Sequence, residues 1–563
     1  MVSVKALAIV LSVLVICEAK WDRASKQEQQ ERFLQRFLER NAATNFIQFT
    51  RIQNRLTQHR ERFARKNRTV NPEEISAAQR IQQIRAQDKD KQESYDTISS
   101  INDAIKEFMY QNDITLTEEQ ADALIDDDDD DDKSRTKRQA QIGNGFPRNQ
   151  WTVGQAIPYT FSSSISASTQ ALIRLAAQFW QDNTCLSFAE NGAGANRLYF
   201  NQGSGCYSYV GRVASASQQE VSIGQGCELF GIVTHEIGHA LGFFHTMSRY
   251  DRDSYVSIQT QNIPANFQSQ FNKETTATNN NYNVEYDYGS VMHYPEASGS
   301  IGSPIEILSK QAAYQRTMGN RIAPSFDDIL LMNRYYGCIN MCTTGATCQN
   351  GGFRNSRNCN TCICPSGFGG ATCNTRANPE NGASNCGATV TATSNLQTLS
   401  GQVGASSSSI LNRAQGCHWH IQAPAGQFVE ITVTSVSGAC SQGCAYGGTE
   451  IKHQSFTKTG TRLCCSSDAS TTGTLRSATN LAVVSAYSYY NIQRFTLTYR
   501  AVTTGGVPSP GPSPPAPAPS PTSTCTDNAS CTGWVANGFC TSTFYSTAQK
   551  QQYCPNACRL CSG

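Results

Sequence analysis

His235-Glu236-Ile237-Gly238-His239-Ala240-Leu241-Gly242-Phe243-Phe244-His245 is the stretch from which the rest of the chain is read. Gly231 to Leu241 has the apolar content of a buried helix, with Thr234 as a candidate cap. A spacing of four puts His235 and His239 on one helical face and sets Glu236 beside them. Gly242 then permits a reversal that other residues resist, so His245 can return as a third ligand. Three imidazoles leave one coordination position open for water, as a catalytic zinc requires. The ion would acidify that water, and Glu236 would take its proton and later pass it to a leaving amine.

Downstream, Ser290-Val291-Met292-His293-Tyr294 fits a methionine turn, with Met292 as the hydrophobic floor below the imidazoles. At 563 residues several domains are expected. Lys plus Arg number 46 against 44 Asp plus Glu, and the near-neutral balance without a basic, aromatic-rich block excludes nucleic acid as a partner. Residues 1–19, with Lys5, a largely apolar run from Ala6 to Ile16 and a small Ala19, read as a secretory signal. No other segment could span a membrane, so the mature form is expected to be secreted, extracellular and without a membrane span. Of 23 cysteines only Cys17 leaves with the signal, and an even remainder fits disulfides formed in an oxidising compartment.

Residues 20–138 read as a propeptide. The part up to about Glu119 is charged, with apolar residues at helical spacing such as Phe33 and Phe37, and is expected to be largely helical without a large core. Seven aspartates, Asp126 to Asp132, precede Arg135-Thr136-Lys137-Arg138, which would sit on exposed chain. A furin-like convertase is the expected processing partner, cutting after Arg138 to make Gln139 the new N-terminus. Residues 139–339 are globular in composition. Cysteines crowd between Cys342 and Cys373, alternating strand patterns follow from Cys386, residues 503–524 hold a Pro-rich linker, and six cysteines lie between Cys525 and Cys561. Asn67 and Asn528 head glycosylation triplets.

Gly205-Cys206-Tyr207-Ser208-Tyr209-Val210-Gly211, the run from His235 to Asp253, and Tyr288 to Tyr294 closely resemble the astacin family of metalloendopeptidases, and the domain order looks like that of nematode members. The resemblance implies a multidomain α+β chain with a metzincin-type two-lobed zinc protease domain and one Zn2+ held by His235, His239 and His245. It further implies that Glu236 is catalytic. Tyr294 would be a zinc ligand at rest that swings away to stabilise the oxyanion. Asp113, in Tyr110-Gln111-Asn112-Asp113-Ile114, would replace the zinc-bound water in the zymogen, with Asn112 at the family's usual glycine position. Disulfides map as Cys206 with Cys227 and Cys185 with Cys338. Thr246 stands where the family has a glutamate that pairs with the mature N-terminus, so activity is expected to depend weakly on trimming at Gln139.

Residues 340–374 are similar to an EGF-like module, implying Cys342 with Cys359, Cys348 with Cys362 and Cys364 with Cys373. Residues 386–502 resemble a CUB β-sandwich with Cys386 bonded to Cys417; partners among Cys440, Cys444, Cys464 and Cys465 stay open, and His418 with His420 make too few ligands for a metal. Residues 525–561 look like a ShK toxin-type module, implying Cys525 with Cys561, Cys531 with Cys554 and Cys540 with Cys558. The expected function is hydrolysis of extracellular proteins by a secreted zymogen. The resemblance suggests matrix, cuticle or eggshell proteins as substrates and extracellular matrix proteins as partners. The alternative is a non-catalytic extracellular binding protein that works through the CUB and ShK-like modules.

Overall fold

The structure is a computed structural model that describes residues 51–58, 71–85, 97–126 and 149–503 except 277, 299–302 and 407–408, with isolated positions among 26–35, at 88 and among 527–560. Residues 512–563 form a compact unit separate from the rest.

In chain order the first unit holds α1 (Pro72–Arg85), α2 (Ile98–Ile101), β1 (Ile114–Thr115), α3 (Glu118–Asp126), β2 (Ala156–Phe161), α4 (Ala167–Asn183), β3 (Ser187–Glu190), β4 (Leu198–Asn201), β5 (Cys206–Tyr209), β6 (Gln219–Ile223), α5 (Phe230–Ala240), β7 (Val256–Ile258), β8 (Ile307–Ser309) and α6 (Phe326–Tyr335). Strands β1 to β6 form one sheet in the order β1-β5-β6-β4-β2-β3. Only β5 and β6 pair antiparallel in it. The edge strand β1 comes from the expected propeptide and lies parallel to β5, with Ile114 opposite Ser208.

Helix α4 starts where the Ser166 hydroxyl accepts from the Thr169 amide at 3.1 Å. Leu172, Ile173, Ala176 and Trp180 recur at helical spacing and are buried on its inner face. They pack on α5, all of whose side chains are buried, and Trp180 Nε1 donates to the Thr234 carbonyl at 3.1 Å. Thr234 does not cap this helix. It sits a turn inside, its hydroxyl donating to Phe230 O at 2.9 Å, while Leu229 holds the N-cap position. A threonine hydroxyl so placed back-bonds to the preceding turn because apolar packing, not capping, fixes where α5 begins. The helix stops at Gly242, whose φ is +116°, and the Phe243 amide reaches back to Gly238 O at 3.0 Å.

Cys185 is bonded to Cys338 and Cys206 to Cys227. The small module that follows is stapled by Cys342–Cys359, Cys348–Cys362 and Cys364–Cys373. Arg357 ties it to the end of α4, donating to Thr184 O at 2.9 Å. Beyond it, a five-stranded and a four-stranded sheet enclose a core that includes Trp419, Val484 and Phe495. Cys386–Cys417, Cys440–Cys465 and Cys444–Cys464 pin this sandwich. It packs on the catalytic side through polar contacts: Arg316 to Asp468 at 2.9 Å, Arg462 to Asn320 Oδ1 at 2.8 Å and the Thr459 hydroxyl to Asp287 Oδ2 at 3.0 Å.

Residues 106–116 depart from the expectation of a largely helical segment, running through a short 3-10 turn at Lys106–Phe108 into β1. The segment has no large core of its own, and Ile105, Met109, Tyr110 and Ile114 are buried because they share the core of the domain they cover. Helix α1 likewise lays Ala78 against Ile305 and Leu308, and Arg85 pairs with Glu296. In the C-terminal unit Cys531 is bonded to Cys554 and Cys540 to Cys558, while Cys525 and Cys561 lie outside the described residues. Among the described residues no helix is long and apolar enough to cross a membrane.

Asp328 couples the start of α6 to the turn around Met292, accepting from Ser325 N at 2.8 Å, Val291 N at 2.8 Å and the Ser290 hydroxyl at 2.5 Å. Asp328→Ala leaves these buried donors without an acceptor, at roughly 1–3 kcal/mol each. The expected outcome is a lower unfolding temperature by calorimetry, and an unchanged one would show that the turn does not depend on this carboxylate.

Candidate metal centre and active site

Helix α5 holds His235 and His239 with ring centroids 4.5 Å apart, and the reversal at Gly242 brings His245 within 4.8 Å of His239. Each imidazole has a carbonyl acceptor for Nδ1. His235 donates to Val291 O at 2.8 Å, His239 to Phe243 O at 2.6 Å and His245 to Gln111 Oε1 at 2.9 Å. Gln111 is oriented for this because its Nε2 donates to Glu274 at 2.8 Å. These partners assign the proton to Nδ1 in all three rings and leave every Nε2 a lone pair. Burial, with His239 alongside, pushes His235 down to about 3, and burial pushes His245 down to about 4, so both rings are neutral at physiological pH.

The three Nε2 atoms face one another and the Asp113 carboxylate. His235 Nε2 is 3.0 Å from His239 Nε2, and Asp113 oxygens lie 3.3, 3.6 and 3.2 Å from His235, His239 and His245. All four side chains are buried, and their ligand atoms lie within 4.8 Å of one another. Acceptors crowded in this way repel unless a cation sits among them. Nitrogen and carboxylate donors at a tetrahedral count suit zinc. The donor set therefore fits one zinc ion.

Glu236 is fully buried, and neither carboxylate oxygen has a hydrogen-bond partner. Burial first, and then the Asp113 charge, push its carboxyl well above the ordinary value. Tyr294 donates its hydroxyl to Gln111 O and stacks edge-on to His245 at 4.6 Å. Met292 is buried beneath α5 at Gly238, where a Cβ would come within 3.1 Å of its sulfur. Thr246 donates to Ser290 Oγ at 2.8 Å.

Asp113 arrives on a tight reversal. Tyr110 and Ile114 exchange backbone bonds of 2.9 and 3.0 Å, and Gln111 and Asn112 between them take φ of +48° and +67°. Asparagine visits that region at little cost, whereas glutamine does so only under constraint. The same segment blankets β5: Ser208 N donates to Asp113 O at 3.0 Å, and the Asn102 amide bonds both Cys206 N, at 2.9 Å, and Cys206 O, at 2.7 Å. Asn102, Gln270, Glu274 and Asp328 hold the segment and the turn around this centre, and no motif in the sequence marks them; Gln111 lies in the stretch that carries Asp113, but nothing there marks its bond to His245. His418 and His420 have separate partners, Ser485 Oγ at 2.8 Å and Gly367 O at 2.9 Å, and form no centre. Arg138, Gln139, Asn67 and Asn528 lie outside the described residues.

Residues 144–337 match the peptidase family described as Astacin, and residues 524–561 match the family described as ShK domain-like. The Caenorhabditis elegans zinc metalloproteinase nas-31 is 38% identical over 416 residues, covering 72% of this chain and 66% of that protein. Zinc metalloproteinase nas-28 of the same organism is 38% identical over 408 residues, covering 71% of this chain and 80% of that protein. The solved structure of high choriolytic enzyme 1, a hatching enzyme zinc-protease from Oryzias latipes, is 33% identical, covers 35% of this chain and 98% of its own, and gives a TM-score of 0.32.

A sheet, two helices and a three-histidine centre with an adjacent free carboxylate define the class of single-zinc metallopeptidases. The chain belongs to the astacin family of peptidases; its residues 144–337 are a zinc metallopeptidase domain, and zinc is its cofactor.

One zinc per chain is expected by elemental analysis of the intact protein. Stripping it with a chelator should lower the unfolding temperature, and one equivalent of zinc should restore it. An unfolding temperature indifferent to the metal would contradict the assignment.

Proposed function

We propose that the chain is the latent precursor of a secreted zinc endopeptidase that cuts extracellular proteins. In this reading residues 1–19 are a signal, 20–138 a propeptide, 139–339 the catalytic domain, 340–374 EGF-like, 386–502 CUB, 503–524 a linker and 525–561 ShK-like. The observation that carries it is the pair of unpartnered, fully buried Glu236 oxygens beside three imidazoles whose fourth neighbour, Asp113, belongs to the propeptide.

His235, His239 and His245 would hold the zinc, which when bound would supply Lewis acidity toward a scissile carbonyl and a water. The Glu236 carboxylate takes a proton from the attacking water and gives it to the departing amine, a transfer suited to a base whose proton affinity burial has raised. Tyr294, relieved of Gln111, turns its hydroxyl to the developing oxyanion. Val291, Phe243 and their Nδ1 bonds keep His235 and His239 oriented throughout.

Latency rests on Asp113 closing the centre and on Asn102 and Asp113 occupying the backbone groups of Cys206 and Ser208 along β5, where an extended peptide would add as a strand. Cleavage after Arg138 by a furin-like convertase permits their departure. Thr246, engaged with Ser290, offers no carboxylate to a new N-terminus, so exact trimming at Gln139 matters weakly. The nature of the substrates, as matrix, cuticle or eggshell proteins, follows from family resemblance alone.

A fluorogenic peptide assay on the processed protein tests the reading. Glu236→Ala should lower kcat by roughly 10²–10⁴-fold, and chelator should abolish turnover. Peptide cleavage that survives both would end it, and the absence of any cleavage by the processed wild type would favour a binding protein instead. Asp113→Ala in the uncleaved precursor should raise its activity above that of the unmodified precursor, and no gain would remove Asp113 from the latency mechanism.

A further inference from the structure

The propeptide reversal rests on a wall formed by residues 265–274, and two side chains of that wall do different work. Gln270 reads backbone only: its Oε1 accepts from Asn112 N at 3.1 Å, and its Nε2 donates to Lys106 O and Met109 O at 3.3 Å. Glu274 reads side chains of the segment. Its Oε1 accepts from the Tyr110 hydroxyl at 2.6 Å and from Gln111 Nε2 at 2.8 Å. Its Oε2 accepts from the Thr278 hydroxyl at 2.9 Å. The carboxylate is buried, at 2% exposure, by the segment that must leave.

Glu274 stands close to the reaction centre. Gln111, which donates to Glu274, also accepts from His245 Nδ1 at 2.9 Å and from the Ser248 hydroxyl at 3.0 Å. Tyr110, the other donor, packs its ring edge-on to Phe244 at 6.5 Å. When the propeptide departs, the space of these two side chains becomes a pocket with an apolar wall at Phe244 and a carboxylate at its base. Cations of the same loop region pair with other carboxylates, Arg249 with Asp251 at 2.8 Å, Arg252 with Asp253 at 2.9 Å and Lys273 with Asp253 at 2.7 Å.

We propose that Glu274 is a specificity-determining residue, and that the processed enzyme favours peptides whose residue in this pocket is lysine or arginine. An aliphatic stem would lie along Phe244 and a terminal cation would replace the two propeptide donors on Oε1. The selection follows because a peptide lacking that donor does not restore the two hydrogen bonds that Oε1 makes with Tyr110 and Gln111 in the precursor.

This rests on the endopeptidase reading, and the experiment separates the two. The processed wild type is profiled on a proteome-derived peptide library, and a lysine peptide is then compared with its norleucine counterpart at the enriched position. The expected kcat/KM ratio is about tenfold or more in favour of lysine. It should fall toward unity in Glu274→Gln and turn toward a glutamate peptide in Glu274→Lys. Cleavage without enrichment of a basic residue, or a ratio that Glu274→Gln leaves intact, overturns the proposal, and the wild-type profile decides even if the variants do not fold. If no peptide is cleaved at all, the endopeptidase reading fails and takes this inference with it.

Discussion

Four buried acceptors pointed at one another, three imidazole nitrogens and a carboxylate, form the constraint on which the molecule turns. Such a cluster is untenable without a cation, and the surrounding chain is arranged to hold it nonetheless. Backbone carbonyls of Val291 and Phe243 fix two rings, the Gln111 amide fixes the third, and Asp328 fixes the turn that carries Val291. The packing of α4 on α5 serves the same end, since it sets the helix face from which His235 and His239 project.

The metal centre and the N-terminal segment are linked through the same residues. Asp113 is delivered by a reversal that also supplies Gln111 to His245 and Tyr110 to Glu274, so in the proposed reading the propeptide would be a working part of the latent centre and not a plug laid over it. Farther out, Asp88 accepts from the Ser466 hydroxyl at 3.0 Å, and Arg316 lies between Asp88 and Asp468. The N-terminal segment thereby contributes a charge partner at the junction between the metallopeptidase domain and the β-sandwich.

The catalytic helix and its ligand spacing are legible in the sequence because a metal site on a helix needs fixed offsets, and glycine at 242 is demanded by a backbone turn. Asp113 is reachable only through family resemblance, since nothing local distinguishes it from a surface aspartate. Asn102 and Glu274 are not legible at all, and Gln111 is legible only as a neighbour of Asp113. Their partners lie more than a hundred residues away, and amides and carboxylates in such positions read as ordinary solvated side chains. Thr234 reads as a cap and is not one, because a threonine near a helix start can serve either as cap or as back-bonding interior residue, and only tertiary packing decides. The polar seam between sandwich and catalytic domain is invisible for a related reason: Arg316, Arg462 and Thr459 carry no periodic signature.

X-ray absorption at the zinc edge of the intact protein reads the ligands of the metal directly. The first shell should hold three imidazole nitrogens and one carboxylate oxygen, with the oxygen contribution altered in Asp113→Ala. A shell lacking histidine, or one unchanged by that substitution, would contradict this ligand set.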